Sequence, residues 1–199
     1  MTAYTSRETQ GLALDFIPKW EGFSATVYED SVGVPTIGYG FTPAVPEYEA
    51  LADDAPITTE RAGDCLWSIL SRRVIPFVRA LDEEKVLDAP HKVVPIVSWA
   101  YNVGKTAAKE STLAVRLRAG KEEAVEQELL RWVYAGGEVV EGLRNRREAE
   151  RRLMERDERV MPPDVDTEAR QVPSAKIEEL ASTPNSRLAN DLDLSVSNA

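Results

Sequence analysis

The stretch KWEGFSATVYEDSVGVPTIGYGFT, residues 19–42, places Glu21, Asp30 and Thr36 at fixed intervals and closes on Gly38-Tyr39-Gly40. Upstream, Leu12, Ala13, Phe16, Ile17 and Trp20 recur at helical spacing. Thr5-Ser6-Arg7-Glu8 ahead of them fits a capping box, with Thr5 at the cap and Glu8 three residues on. The pattern predicts a first helix over roughly residues 6–20, with Pro18 removing one backbone hydrogen bond near its last turn. Glu21 falls at that helix's carboxyl end. Residues 25–28 and 35–39 read as short strands around a turn containing Gly33.

After a Pro-rich connection, where Glu47, Glu49, Asp53 and Asp54 read as a charged loop, the periodicity turns helical. Thr58 caps a helix striped by Ala62, Cys65, Leu66, Ile69 and Leu70. Residues 93–101 form a buried helix interrupted by Pro95, and Ser111 caps another that stops at Gly120. Residues 124–134 carry Val125, Leu129, Trp132 and Val133 on one face before the double stop Gly136-Gly137. A last helix over residues 143–160 pairs Glu148 with Arg152 and Glu155 with Arg159. The architecture expected is α+β: a small strand-bearing lobe after the first helix, then a larger helical lobe. Residues 1–160 make up this domain.

Residues 161–199 differ in texture, with four prolines, no aromatic residue and no glycine. Seven acids against three bases give this stretch a charge of −4, leaving −6 for the rest. It reads as an acidic, proline-containing tail, with a short helix possible over 174–181, that cannot order itself alone.

The whole chain of 199 residues carries −10, which argues against nucleic acid or anionic lipid as a partner. One cysteine, Cys65, excludes an internal disulfide, and no metal-binding spacing is present, so no metal or cofactor is expected. The amino end lacks the charged start and apolar run of a signal peptide. No stretch approaches the length of a membrane span, so no stable membrane association is expected.

Cleaving a glycosidic bond needs an acid to protonate the leaving oxygen and a carboxylate on the other side. Glu21, at a helix carboxyl end and flanked by Trp20 and Phe23, suits the acid, because both surroundings disfavour its charged form. Asp30 lies in a polar turn that suits an ionised carboxylate, and the Thr36 hydroxyl can hold a water. On spacing alone, ordinary surface polarity remains an open reading.

The segment resembles the active-site signature of the phage-type lysozymes, or endolysins, of glycoside hydrolase family 24. Glu21-Gly22, Asp30, Thr36 and Gly38-Tyr39-Gly40 keep that family's order and spacing. Downstream, YNVG (101–104), STL (111–113), RWVYAGG (131–137) and GLRNRREAE (142–150) resemble its helical lobe. The resemblance implies a muramidase that hydrolyses the bond between N-acetylmuramic acid and N-acetylglucosamine in bacterial peptidoglycan. Glu21 would be the acid and Asp30 the base or charge-stabilising carboxylate, with Thr36 helping to position the water. A bound water implies inversion, with carboxyls about 6.5–9.5 Å apart.

The resemblance also assigns Gly40, Phe41, Thr42, Tyr101 and Thr112 to the saccharide cleft, and Arg146 or Arg147 to an arginine that reaches Glu21. It implies a monomer in the host bacterial cytoplasm that meets the wall after release by a holin-type partner. Phe41 stands where family members often have histidine, and Pro18, the acidic balance and the tail are further departures. On Phe41, Pro18 and the tail rests a second reading, a wall-binding or virion structural protein without turnover. A lytic transglycosylase ranks third, since it would leave Asp30 and Thr36 without a role.

The remaining residues have plainer readings. Trp20, Trp67, Trp99 and Trp132 read as core, Cys65 as an inert core thiol and His91 as a surface loop residue. The run 144–159, with seven arginines against five acids, reads as a salt-bridged, solvated helix.

Overall fold

The computed structural model describes residues 3–30 and 33–155. The tail (161–199), the last turn of the final predicted helix and the Glu155–Arg159 pair lie outside the described residues. A single turn of 3-10 helix, Ala3–Thr5, leads into α1, Arg7–Phe16. The cap of α1 is Ser6, one residue later than the expected Thr5; its hydroxyl accepts the Thr9 N–H at 3.0 Å. The long first helix is in fact two. The chain turns at Ile17 and restarts as α2, Pro18–Glu21, with the proline in its first turn, where a missing N–H costs nothing.

Two antiparallel strands follow, β1 (Ser24–Glu29) and β2 (Pro35–Gly38). Tyr28 lies opposite Thr36 and Glu29 opposite Pro35, with an irregularity between Ser24 and Tyr28. The Gly38-Tyr39-Gly40 turn folds Phe41 back onto Ile37 through two 2.9 Å backbone hydrogen bonds. Glycine is required at position 38: its φ is +65°, and a Cβ there would lie 2.8 Å from the Phe41 ring.

The acidic connection is not all loop, because Tyr48–Asp53 forms α3, whose Tyr48 and Leu51 enter the core. Thr58 caps α4, Thr59–Ile69, as expected, and all five stripe residues are buried. A π turn, Leu70–Val74, carries α4 into α5, Ile75–Leu81, in a region where the sequence reading places no element. Pro76 explains the widened turn: it has no N–H for the carbonyl four residues back, and the Ile75 N–H instead bonds the Leu70 carbonyl.

Helix α6, Pro90–Val103, is the axis of the larger lobe. It is buried on every side from Val93 to Tyr101 and packs against α1, α5 and α10, the last spanning Glu141–Met154. His91 thus stands in the first turn of a helix, not in a loop. Short helices α7 (Lys105–Lys109), α8 (Thr112–Arg118, capped by Ser111) and α9 (Glu122–Leu129) complete the lobe.

Helix α9 ends well before the expected residue 134. Trp132 and Val133 follow it, and β3 (Tyr134–Ala135) pairs with β4 (Glu138–Val139). Gly136 and Gly137 are therefore the turn of a two-residue hairpin rather than a helix stop, and positive φ at both matches the tight hairpin turn. Trp99 is core and meets Trp132 edge-on at 5.5 Å; Trp20, Trp67 and Trp132 are half-buried. Among the described residues no helix is long and apolar enough to cross a membrane, and no group of His, Cys, Asp and Glu is arranged to hold a metal ion.

Candidate active site

Glu21 is the last residue of α2, so its position depends on the restart at Pro18. Its side chain is 1% exposed and meets Arg146 of α10, with Nη1 2.7 Å from Oε1. Trp20 packs on Phe16 and Phe23 on Tyr39, and Glu21 meets a guanidinium from the helical lobe. Of the two arginines the sequence left open, Arg146 is the one that reaches it.

Burial by itself would lower Arg146, but Glu21 and Glu150 outweigh it and hold the guanidinium above its ordinary value. Tyr101 of α6 also feels Glu21: burial first, then the carboxylate, pushes its phenol well above the usual range.

Asp30 directly follows β1 and is fixed by its own turn. Its Oδ1 accepts the Val34 N–H at 2.9 Å, and its backbone N–H donates to the Val34 carbonyl at 3.0 Å. Thr36, buried opposite Tyr28, donates its hydroxyl to that same Val34 carbonyl at 3.0 Å. With its proton committed, Oγ1 can only accept from a further group. One short turn thus orients both Asp30 and Thr36.

The expected cleft residues divide. Gly40, Phe41 and Thr42 face Ala100, Tyr101, Gly104 and Lys105 across a mostly apolar cavity of about 30 Å³ between the strand-bearing segment and α6–α7. Phe41 and Tyr101 are only 1% and 4% exposed, so they wall the cavity from beneath rather than offer an open platform. Thr112 is the exposed first residue of α8 and does not line this cavity.

Two groups escaped the sequence reading. Glu150 is fully buried, which corrects the view of it as one of the solvated charges of α10, and Ser98 of α6 is buried against it. Glu150 Oε1 accepts from Ser98 Oγ at 2.7 Å, Arg147 Nη2 at 2.8 Å and Arg146 Nε at 3.2 Å. Arg146 Nη2 donates to the Ser98 carbonyl and hydroxyl, each at 3.1 Å. The signal was available: Arg146, Arg147, Glu150, Leu153 and Met154 share one helical face, the buried one. Burial lowers Arg147 to about 10 despite Glu150 beside it, and raises Glu150 against the pull of Arg147 and Arg146.

Comparison with known proteins gives this arrangement a family. Residues 18–150 match the family model described as phage lysozyme. A SAR-endolysin of bacteriophage PS119 is 33% identical over 132 residues, covering 66% of this chain and 74% of that protein. An endolysin of Bacillus phage B103 is 33% identical over 146 residues; the match spans 70% of this chain and about half, 51%, of that protein. Among solved structures, a point mutant of P22 lysozyme superposes with a TM-score of 0.62 at 27% identity, over 72% of this chain and 94% of that one. The chain belongs to the phage lysozyme family. It is a glycoside hydrolase with the α+β fold of that family, an endolysin-type muramidase.

Proposed function

We propose that Glu21 is the general acid of an inverting hydrolysis at the bond between N-acetylmuramic acid and N-acetylglucosamine in peptidoglycan. The observation that carries this is the contrast between the surroundings of two carboxylates. Glu21 is buried and faces a guanidinium, whereas Asp30 is pinned by backbone in a turn it shares with Thr36. In this reading Glu21 protonates the departing glycosidic oxygen. A water held by Asp30 and Thr36 attacks the anomeric carbon from the opposite face, its proton passing to Asp30. Because Thr36 Oγ1 already donates to Val34, it accepts a hydrogen bond from the water, and the water keeps a lone pair for attack.

Gly40, Thr42 and Tyr101 would contribute to the saccharide cleft, with Phe41 shaping it from below. The catalytic unit is residues 1–160 with 161–199 as an appendage, and the enzyme works as a monomer. It reaches the wall through a holin-type, membrane-permeabilising partner. Support for these last points is the family resemblance and the composition of the chain.

The test is mass spectrometry of fragments released from purified peptidoglycan by the wild-type protein and by Glu21→Gln. Reducing muramic acid ends from the wild type are expected, with turnover at least about 10³-fold lower in the variant. Anhydro ends would instead mean a transglycosylase and remove the water step. Fragments from both proteins at equal rates would mean that Glu21 is not the acid.

A further inference from the structure

We propose that Glu150 and Arg147, neither of which touches substrate, set the protonation balance of Glu21 in opposite directions by acting through Arg146. This rests on Glu21 being the proton donor.

Four charged side chains, Glu21, Arg146, Arg147 and Glu150, form one cluster, each at most 3% exposed. Arg146 is gripped from two helices: Glu150 holds Nε, and the carbonyl and hydroxyl of Ser98 hold Nη2. Nη1 is thereby aimed at Glu21. A lone guanidinium there would favour ionised Glu21, which is the wrong state for an acid awaiting substrate. The Glu150 charge opposes that bias. Arg147 in turn opposes Glu150, and without it Glu21 would be slow to exist as the carboxylate left after proton donation.

Stability alone does not account for Arg147. Its Nε and Nη1 find no acceptor among the described residues, and a buried guanidinium so incompletely bonded is costly. The other titratable groups packed around Glu21 do not supply the balance. Tyr101 on α6, and Cys65 on α4 beyond it, are both held neutral by burial.

The experiment records kcat against pH on soluble peptidoglycan fragments, with a thermal melt of each protein. The proteins are wild type, Glu150→Gln, Arg147→Met, the double variant Glu150→Gln/Arg147→Met, and Arg147→Lys. The alkaline limb, where the acid's proton is lost, should move down by about 0.5–1 pH unit in Glu150→Gln and up by about as much in Arg147→Met. It should return near the wild-type position in the double variant and stay in place in Arg147→Lys. A purely structural role lowers the melting temperature and the amplitude while leaving the limb fixed; that result, or two shifts of the same sign, overturns the proposal. If either single variant does not fold, a displaced limb in the double or the lysine variant overturns it equally. An active Glu21→Gln would sink the acid assignment itself, whereas an inactive Glu21→Gln with stationary limbs would sink only the charge balance.

Discussion

Glu21 and Cys65 show how burial acts on single groups in opposite senses of usefulness. The Glu21 carboxylate is enclosed yet paired with Arg146, so it stays chemically engaged. The Cys65 thiol is enclosed on the apolar stripe of α4, and burial, with Glu47 adding to it, pushes it up to about 12. At pH 8 only about one molecule in 10⁴ would carry the thiolate, the form that reacts. Cys65 should therefore resist a disulfide reagent at pH 8 in the folded protein and react fully once denatured. Equal rates in the two states would show the thiol to be accessible. The Asp30 and Thr36 side chains are set by a different device, hydrogen bonds to the backbone of one turn, which holds both in a fixed orientation.

Among the elements, the Gly38-Tyr39-Gly40 turn carries the tightest steric demand. Phe41 is nearly fully buried, so its ring cannot easily yield to a Cβ placed 2.8 Å away on residue 38. Gly38→Ala combines that clash with a positive φ, and should cost about 1–3 kcal/mol. In a domain of this size the melting temperature falls by about 2–4 °C per kcal/mol. An unchanged melting temperature would mean that the turn relaxes without resistance. Phe41 thus serves as the support under the turn, which gives a physical role to the residue that departs from the family's common histidine. Pro18 has a similar character, since it begins the short helix that ends in Glu21 rather than damaging a longer one.

For the whole molecule, the net charge of −10 sets how it approaches an anionic wall. Repulsion is screened as the Debye length shrinks from about 30 Å at 0.01 M salt to about 8 Å at 0.15 M. Clearing of isolated walls should therefore speed up over that range, while cleavage of a small neutral saccharide stays level; a fall with salt on walls would contradict this.

The sequence by itself determined the α+β class, the caps at Thr58 and Ser111, the α4 stripe and the spacing of Glu21, Asp30 and Thr36. These are local matters, fixed by periodicity, capping chemistry and intervals along the chain. It was less able to see the π turn at Pro76 or the hairpin at Gly136-Gly137, where one residue pattern serves two backbone paths. Only the tertiary structure decided which arginine meets Glu21, and that Glu150 and Ser98 lie beneath it. Those contacts join α2, α6 and α10, which lie far apart along the chain, and a buried charge looks like a solvated one until the packing that encloses it is known.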